Sequence, residues 1–158
     1  MDSFLKVLCP DYVVEEITVG EQMMVVKAHR IRHIAVCPDC GQESGRIHSY
    51  YDRKPQDLPI GGCYVRLSLT TRRFRCLNEQ CKRRIFAESW GDWLYRYVHK
   101  TSRMKDTLYH VAQAAGGQGG ARILQQLKMV ASGTTLIRLL RAQVIPQITT
   151  TSVICIDD

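Results

Sequence analysis

The sequence predicts an α+β fold: a β-rich module, a helical segment after it, and one orphan strand at the end. Three observations predict this. Residues 1–90 alternate apolar and polar side chains between turn signals, residues 91–145 carry apolar side chains at helical spacing, and two close cysteine pairs lie inside the first part.

The β-rich part is read in order. YVVEEITV and QMMVVKAHRI flank Gly20 as two strands around a turn, and RHIAV leads directly into Cys37. GRIHSYY is a further strand and LPIGG a turn. In CYVRLSLTTRRFRC, Tyr64, Arg66, Ser68 and Thr70 fall on one face, with Val65, Leu67, Leu69 and Thr71 on the other.

In the helical part, Thr101 or Ser102 caps a helix whose apolar positions are Met104, Leu108, Val111, Ala112 and Ala115. GGQGG breaks it. A second helix covers Ala121 to Lys128 with Ile123, Leu124 and Leu127 inward, and Ser132 caps a third that runs to about Gln143. The closing ITTTSVICIDD is a β-branched strand with no visible partner in this helical region.

Composition narrows the function classes. No apolar run approaches the roughly 18–20 residues of a membrane span, and the N-terminus shows no secretory pattern. The expectation is a cytoplasmic protein. Residues 91–148 carry 8 Lys/Arg against 2 Asp/Glu, whereas residues 1–90 carry 14 against 11. An acid-poor basic segment suits a polyanion, nucleic acid first, although a solvated basic surface reads the same way.

Seven cysteines, an odd number, argue against a secreted disulfide framework. Cys37-Pro-Asp-Cys40 and Cys76-x4-Cys81 each follow a predicted strand, where a tight turn points two thiolates at one ion. Four such thiolates close a structural zinc site, making the β-rich module zinc-ribbon-like; the alternatives are a redox dithiol or unligated cysteines. Cys9, Cys63 and Cys155 read as buried thiols, and His33 and His48 as surface or packing residues.

Around the second pair, Arg72, Arg73, Arg75, Lys82, Arg83 and Arg84 form a basic set suited to phosphates, or a solubilising rim. ARILQQLKMVASGTTLIRLLRAQ has helix-turn-helix form. Its last helix gathers Leu136, Leu139, Leu140 and Val144 on one side and Thr134, Thr135, Arg138 and Arg141 on the other. The polar side suits a DNA major groove, although any surface helix with arginines shows the same pattern.

CPDCG, DLPIGG and RRFRCLNEQCKRRIFAE resemble the N-terminal zinc finger of the ISL-three family of bacterial insertion-sequence transposases. TSRMKDTLYHVAQAAGGQGGARILQQLKMVASGTTLIRLLR is similar to that family's helix-turn-helix linker, and VICIDD resembles the first strand of its ribonuclease-H-like domain. The resemblance implies recognition of the terminal inverted repeats in double-stranded DNA, self-association on that DNA and nucleoid association. It also implies that Asp157 is the first of three carboxylates that hold divalent ions, Mg2+, in a complete catalytic domain. With only that carboxylate present, the chain is expected to be inactive alone, as a fragment or a truncated product.

The implied organisation is a zinc-binding domain at 1–90, a helical DNA-binding domain at 91–145, and the first strand of a truncated catalytic domain at 146–158. The rivals are a free-standing zinc-finger DNA-binding regulator and an RNA-binding zinc ribbon.

Overall fold

The computed structural model describes residues 11–143. Eight strands come first: β1 (Tyr12–Val19), β2 (Met23–Arg30), β3 (Ala35–Val36), β4 (Glu43–Ser44), β5 (Ile47–Arg53), β6 (Gln56–Ile60), β7 (Cys63–Arg75) and β8 (Ile85–Ala87). Two helices follow, α1 (Ser102–Gln126) and α2 (Gly133–Arg141). The α+β class expected from the sequence is the one observed. The strand expected at ITTTSVICIDD, together with Asp157, Cys9 and Cys155, lies outside the described residues.

Six strands form one sheet built around β7, while β3 and β4 make a separate small hairpin. One edge of β7 pairs parallel with β2 over Tyr64–Thr70 and then antiparallel with β8 over Arg73–Arg75. The other edge pairs antiparallel with β6 and then with β5. Part of the expected LPIGG turn is strand: Leu58, Pro59 and Ile60 belong to β6. Only Gly61 and Gly62 turn, with φ of 58° and 77°, the left-handed pair that a tight hairpin needs.

β7 buries one face and then the other. Val65, Leu67, Leu69 and Thr71 are buried along its first part, as the alternation predicts, but then Arg72 and Phe74 are buried from the opposite face. Two cores result. The first gathers Tyr12, Val26, Ala28, Val65, Leu67 and Leu69 with Trp90 and Leu94. There the Tyr12 and Trp90 rings stack at 4.8 Å, and Trp90 Nε1 donates to Thr71 Oγ1 at 3.0 Å. Such a ring pair adds about 0.5–1.5 kcal/mol beyond the area it buries. The second core gathers Ala35, Cys37, Phe74, Cys81 and Phe86.

The helices have a third core of Met104, Leu108, Ala112, Leu124, Met129 and Leu136, with Leu58 of β6 packed against it. Thr101 is the N-cap of α1, its hydroxyl accepting from Met104 N–H. That hydroxyl also donates to Asp57 Oδ1 at 2.6 Å, so the cap is anchored to the sheet. Arg103 donates to both oxygens of the same carboxylate.

The break expected at GGQGG occurs at Gly116 alone, whose φ of 68° and ψ of −162° kink α1. Gly117 to Gly120 remain helical, so the second helical piece starts before the expected Ala121. A Cβ on Gly117 would lie 2.9 Å from Ile137 Cγ1 and 3.1 Å from the Gly133 carbonyl, so Gly117 serves close helix packing. Of the three residues expected to point inward, Leu124 does. Ile123 and Leu127 are 45% and 50% exposed, because this piece buries only a narrow stripe against α2.

The turn into α2 is closed by Lys128 N–H to Gln125 O and Met129 N–H to Leu124 O, with Lys128 at φ 56°. This is a Schellman closure with lysine where glycine is usual. Ser132 caps α2 through Thr135 N–H, as expected, and α2 ends at Arg141 rather than Gln143.

Candidate metal centre and nucleic-acid interface

The four paired cysteines are brought together by two turns. After β3, Cys37 N–H donates to Gln42 O, and Gly41 N–H returns to Cys37 O with Gly41 at φ 74°. After β7, Cys76 N–H donates to Arg84 O, and Cys81 N–H to Asn78 O. The Cys37–Cys81 and Cys40–Cys76 sulfurs are 4.0 and 3.6 Å apart, and all four lie within 4.8 Å of one another.

These distances fit zinc. Ligands at about 2.3 Å from a tetrahedral ion stand about 3.8 Å apart, whereas a disulfide needs about 2.0 Å. Burial pushes the Cys37 thiol up, but N–H groups of Asp39 and Cys40 and the Cys40 and Cys76 thiols outweigh it, lowering its pKa to about 7. Burial pushes Cys76 up to about 12. At Cys81 the Arg83 N–H lowers the pKa, but burial and Cys40 raise it further. Thiolates this close cannot all ionise without a cation among them. Cys37, Cys40, Cys76 and Cys81 therefore fit a structural Zn2+, which would leave no open coordination position.

The convergence rests on a buried ion pair that the sequence reading missed. Arg72 Nη2 donates to Glu88 Oε2 at 3.0 Å, to Arg30 O at 2.9 Å and to Arg32 O at 2.5 Å. Glu88 Oε1 also accepts the Arg72 backbone N–H at 2.7 Å. One guanidinium thus ties the chain between β2 and the first cysteine pair to the strand that carries the second. Ser44 Oγ donates to Arg75 O at 2.6 Å and clamps the small hairpin onto the same strand.

A family model described as the zinc-finger of transposase IS204/IS1001/IS1096/IS1165 matches residues 33–81. All four cysteines lie within it. No curated protein and no solved structure matches the chain.

The expected basic set divides. Arg72 is withdrawn from it: at 6% exposure its donors are spent on Glu88 and two carbonyls, so no phosphate reaches it. Arg75, Lys82 and Arg84 are exposed. Arg83 is half-buried and pairs with Asp39 at 2.8 Å, linking the two cysteine turns. Arg73 is exposed and lies over the Tyr51 ring at 4.6 Å.

On α2, Leu136 is buried while Thr134, Arg138 and Arg141 are exposed. The Thr135 hydroxyl is engaged with Ser132 Oγ at 3.0 Å. His48 sits by Ser49 and His33 by Arg72, and neither joins the thiol cluster. No helix among the described residues is long and apolar enough to cross a membrane.

Proposed function

We propose that this chain is the DNA-binding front part of a transposase, recognising the terminal inverted repeats of an insertion sequence in double-stranded DNA. The observation that carries the reading is the coincidence of the transposase zinc-finger match with a four-thiolate cluster of zinc dimensions. In this reading residues 1–90 form the zinc domain, 91–145 a helix-turn-helix domain, and 146–158 the opening strand of a catalytic domain.

Zinc holds the cysteine turns rigid, so that Arg75, Lys82 and Arg84, with Arg73 and Arg83 beside them, present cations at fixed spacing to a phosphate backbone. The α1–α2 pair supplies base recognition. Arg138 and Arg141 project from the exposed side of α2, where a guanidinium reads guanine, while Thr134 and Thr135 suit phosphate contacts at the helix start. The polar side of α2 is open because Leu136 packs against α1 from the other. Asp157 would be the first metal-holding carboxylate of the nuclease-like domain, where Mg2+ would activate water for phosphoryl transfer. Self-association on DNA and nucleoid association belong to the same reading.

The test is fluorescence anisotropy at fixed salt, comparing duplex DNA carrying the inverted repeats, scrambled duplex and structured RNA. The repeats bind tightest, and Arg138→Ala with Arg141→Ala weakens them at least about tenfold, the scale of losing bidentate base contacts. Preference for RNA, or unchanged affinity of the double variant, overturns the assignment.

A further inference from the structure

Beside the zinc module lies a cleft of about 1070 Å³, walled by β5 and β7 on one side and the 88–99 segment on the other. Arg53 fixes the far wall, donating to the carbonyls of Tyr95 and Val98 at 2.8 and 2.9 Å. The lining cations include Lys54, Arg73 and Arg96. The lining carboxylates are Asp52, Glu88 and Asp92, and Glu88 is already neutralised by Arg72.

Three tyrosines share this cleft. Tyr51 lies beneath Arg73, Tyr95 is 54% exposed and Tyr97 is 92% exposed. Tyr97 also holds a left-handed backbone, φ 59°, which a bulky residue adopts only against a steric cost. An aromatic ring held in water on a strained backbone does nothing for the hydrophobic core. Its face is on offer to a ligand.

We infer that this cleft seats a short unpaired stretch of DNA, its phosphates on Lys54, Arg73 and Arg96 and its bases on Tyr95 and Tyr97. Bases inside a duplex stack on each other and show only their edges, so exposed ring faces beside a basic groove select unpaired strands. The choice of DNA rests on the proposed function. The choice of an unpaired strand rests on the cleft alone.

The zinc-loaded chain is titrated with a labelled single strand of about 12 nucleotides, within the roughly 4–16 that such a surface covers, and with the blunt duplex of the same sequence. Tyr95→Ala with Tyr97→Ala, both exposed positions, keeps the circular dichroism spectrum. It lowers single-strand affinity at least about tenfold while duplex affinity holds. Photocrosslinking of a bromodeoxyuridine-containing strand marks Tyr95 or Tyr97. Unchanged single-strand affinity in that variant, or crosslinks confined to α2, overturns the inference. Arg138→Ala with Arg141→Ala separates the two proposals, since it reduces duplex binding and leaves the single strand bound.

Discussion

Glu88→Gln preserves the size of a buried side chain and removes only its charge and one acceptor. The amide oxygen still accepts the Arg72 backbone N–H, now held at 2.7 Å. The amide nitrogen, however, replaces Oε2 and turns a donor toward the guanidinium atoms at 3.0 and 3.2 Å. Arg72 keeps its carbonyl partners at Arg30 and Arg32 but loses its counter-charge in a site where the two side chains are 8% and 1% exposed. Breaking a pair this buried costs about 3–5 kcal/mol, a large part of the 5–15 kcal/mol that holds a typical domain. For a chain of this length that corresponds to a fall in Tm of about 6–20 °C. Circular dichroism melts of the zinc-loaded protein measure it. Competition with a chromophoric chelator should also report weaker zinc binding, because Arg72 sets the path from β2 to Cys37. The double variant Arg72→Met with Glu88→Leu, which removes both charges, should recover much of the loss. A Tm for Glu88→Gln within about 2 °C of the parent, well under the shift expected from 3 kcal/mol, would refute the claim that this pair holds the cysteine turns together.

Three further outcomes are expected. Cys76→Ser removes a thiolate that no neighbour replaces, so zinc content by mass spectrometry should fall and the N-terminal module should unfold; full zinc content counts against a single four-cysteine site. Gly117→Ala drives a methyl against Ile137 and the Gly133 carbonyl and should cost about 1–3 kcal/mol in urea melts, whereas Gly119→Ala meets only Ala115 Cβ at 3.7 Å and should be neutral or gain up to about 1 kcal/mol. Equal effects at the two glycines would deny the close helix contact. Burial pushes the Asp57 carboxyl up, but Arg103 and Thr101 outweigh it and hold the pKa below its ordinary value of 3.8. A depressed acid stabilises the fold above its unfolded pKa and loses that contribution as pH falls through the folded value. Asp57→Asn should therefore flatten the decline in stability below about pH 4, and an unaltered acid limb would contradict the linkage.

The cysteine pairs, the β7 alternation and both helix caps were legible because each is a local pattern: a spacing, a period of two, or a hydroxyl three residues before an N–H. Arg72 was not legible. It stands between Thr71 and Arg73 in a run that reads as surface, and its partner lies sixteen residues on, across a strand pair. Only the exchange of buried faces at Thr71 and Arg72 turns that basic residue inward, and a strict alternation cannot express such an exchange. Trp90 and Trp93 were overlooked for a related reason. Their partner Tyr12 is 78 residues from Trp90, so no window of sequence contains the cluster. The cleft tyrosines gave one usable signal, three rings among basic residues between positions 51 and 97, but their convergence depends on Arg53 drawing the loop back to β5.

The thirteen residues of β7 form a party wall between two chambers, one lined by aromatic rings and one by sulfur. A partition shared in this way cannot loosen on one side and stay taut on the other. Stripping the metal should therefore quicken amide exchange as far away as Val65 and Leu67, making ion occupancy a condition for the order of the whole sheet and of the helices moored to it through Asp57.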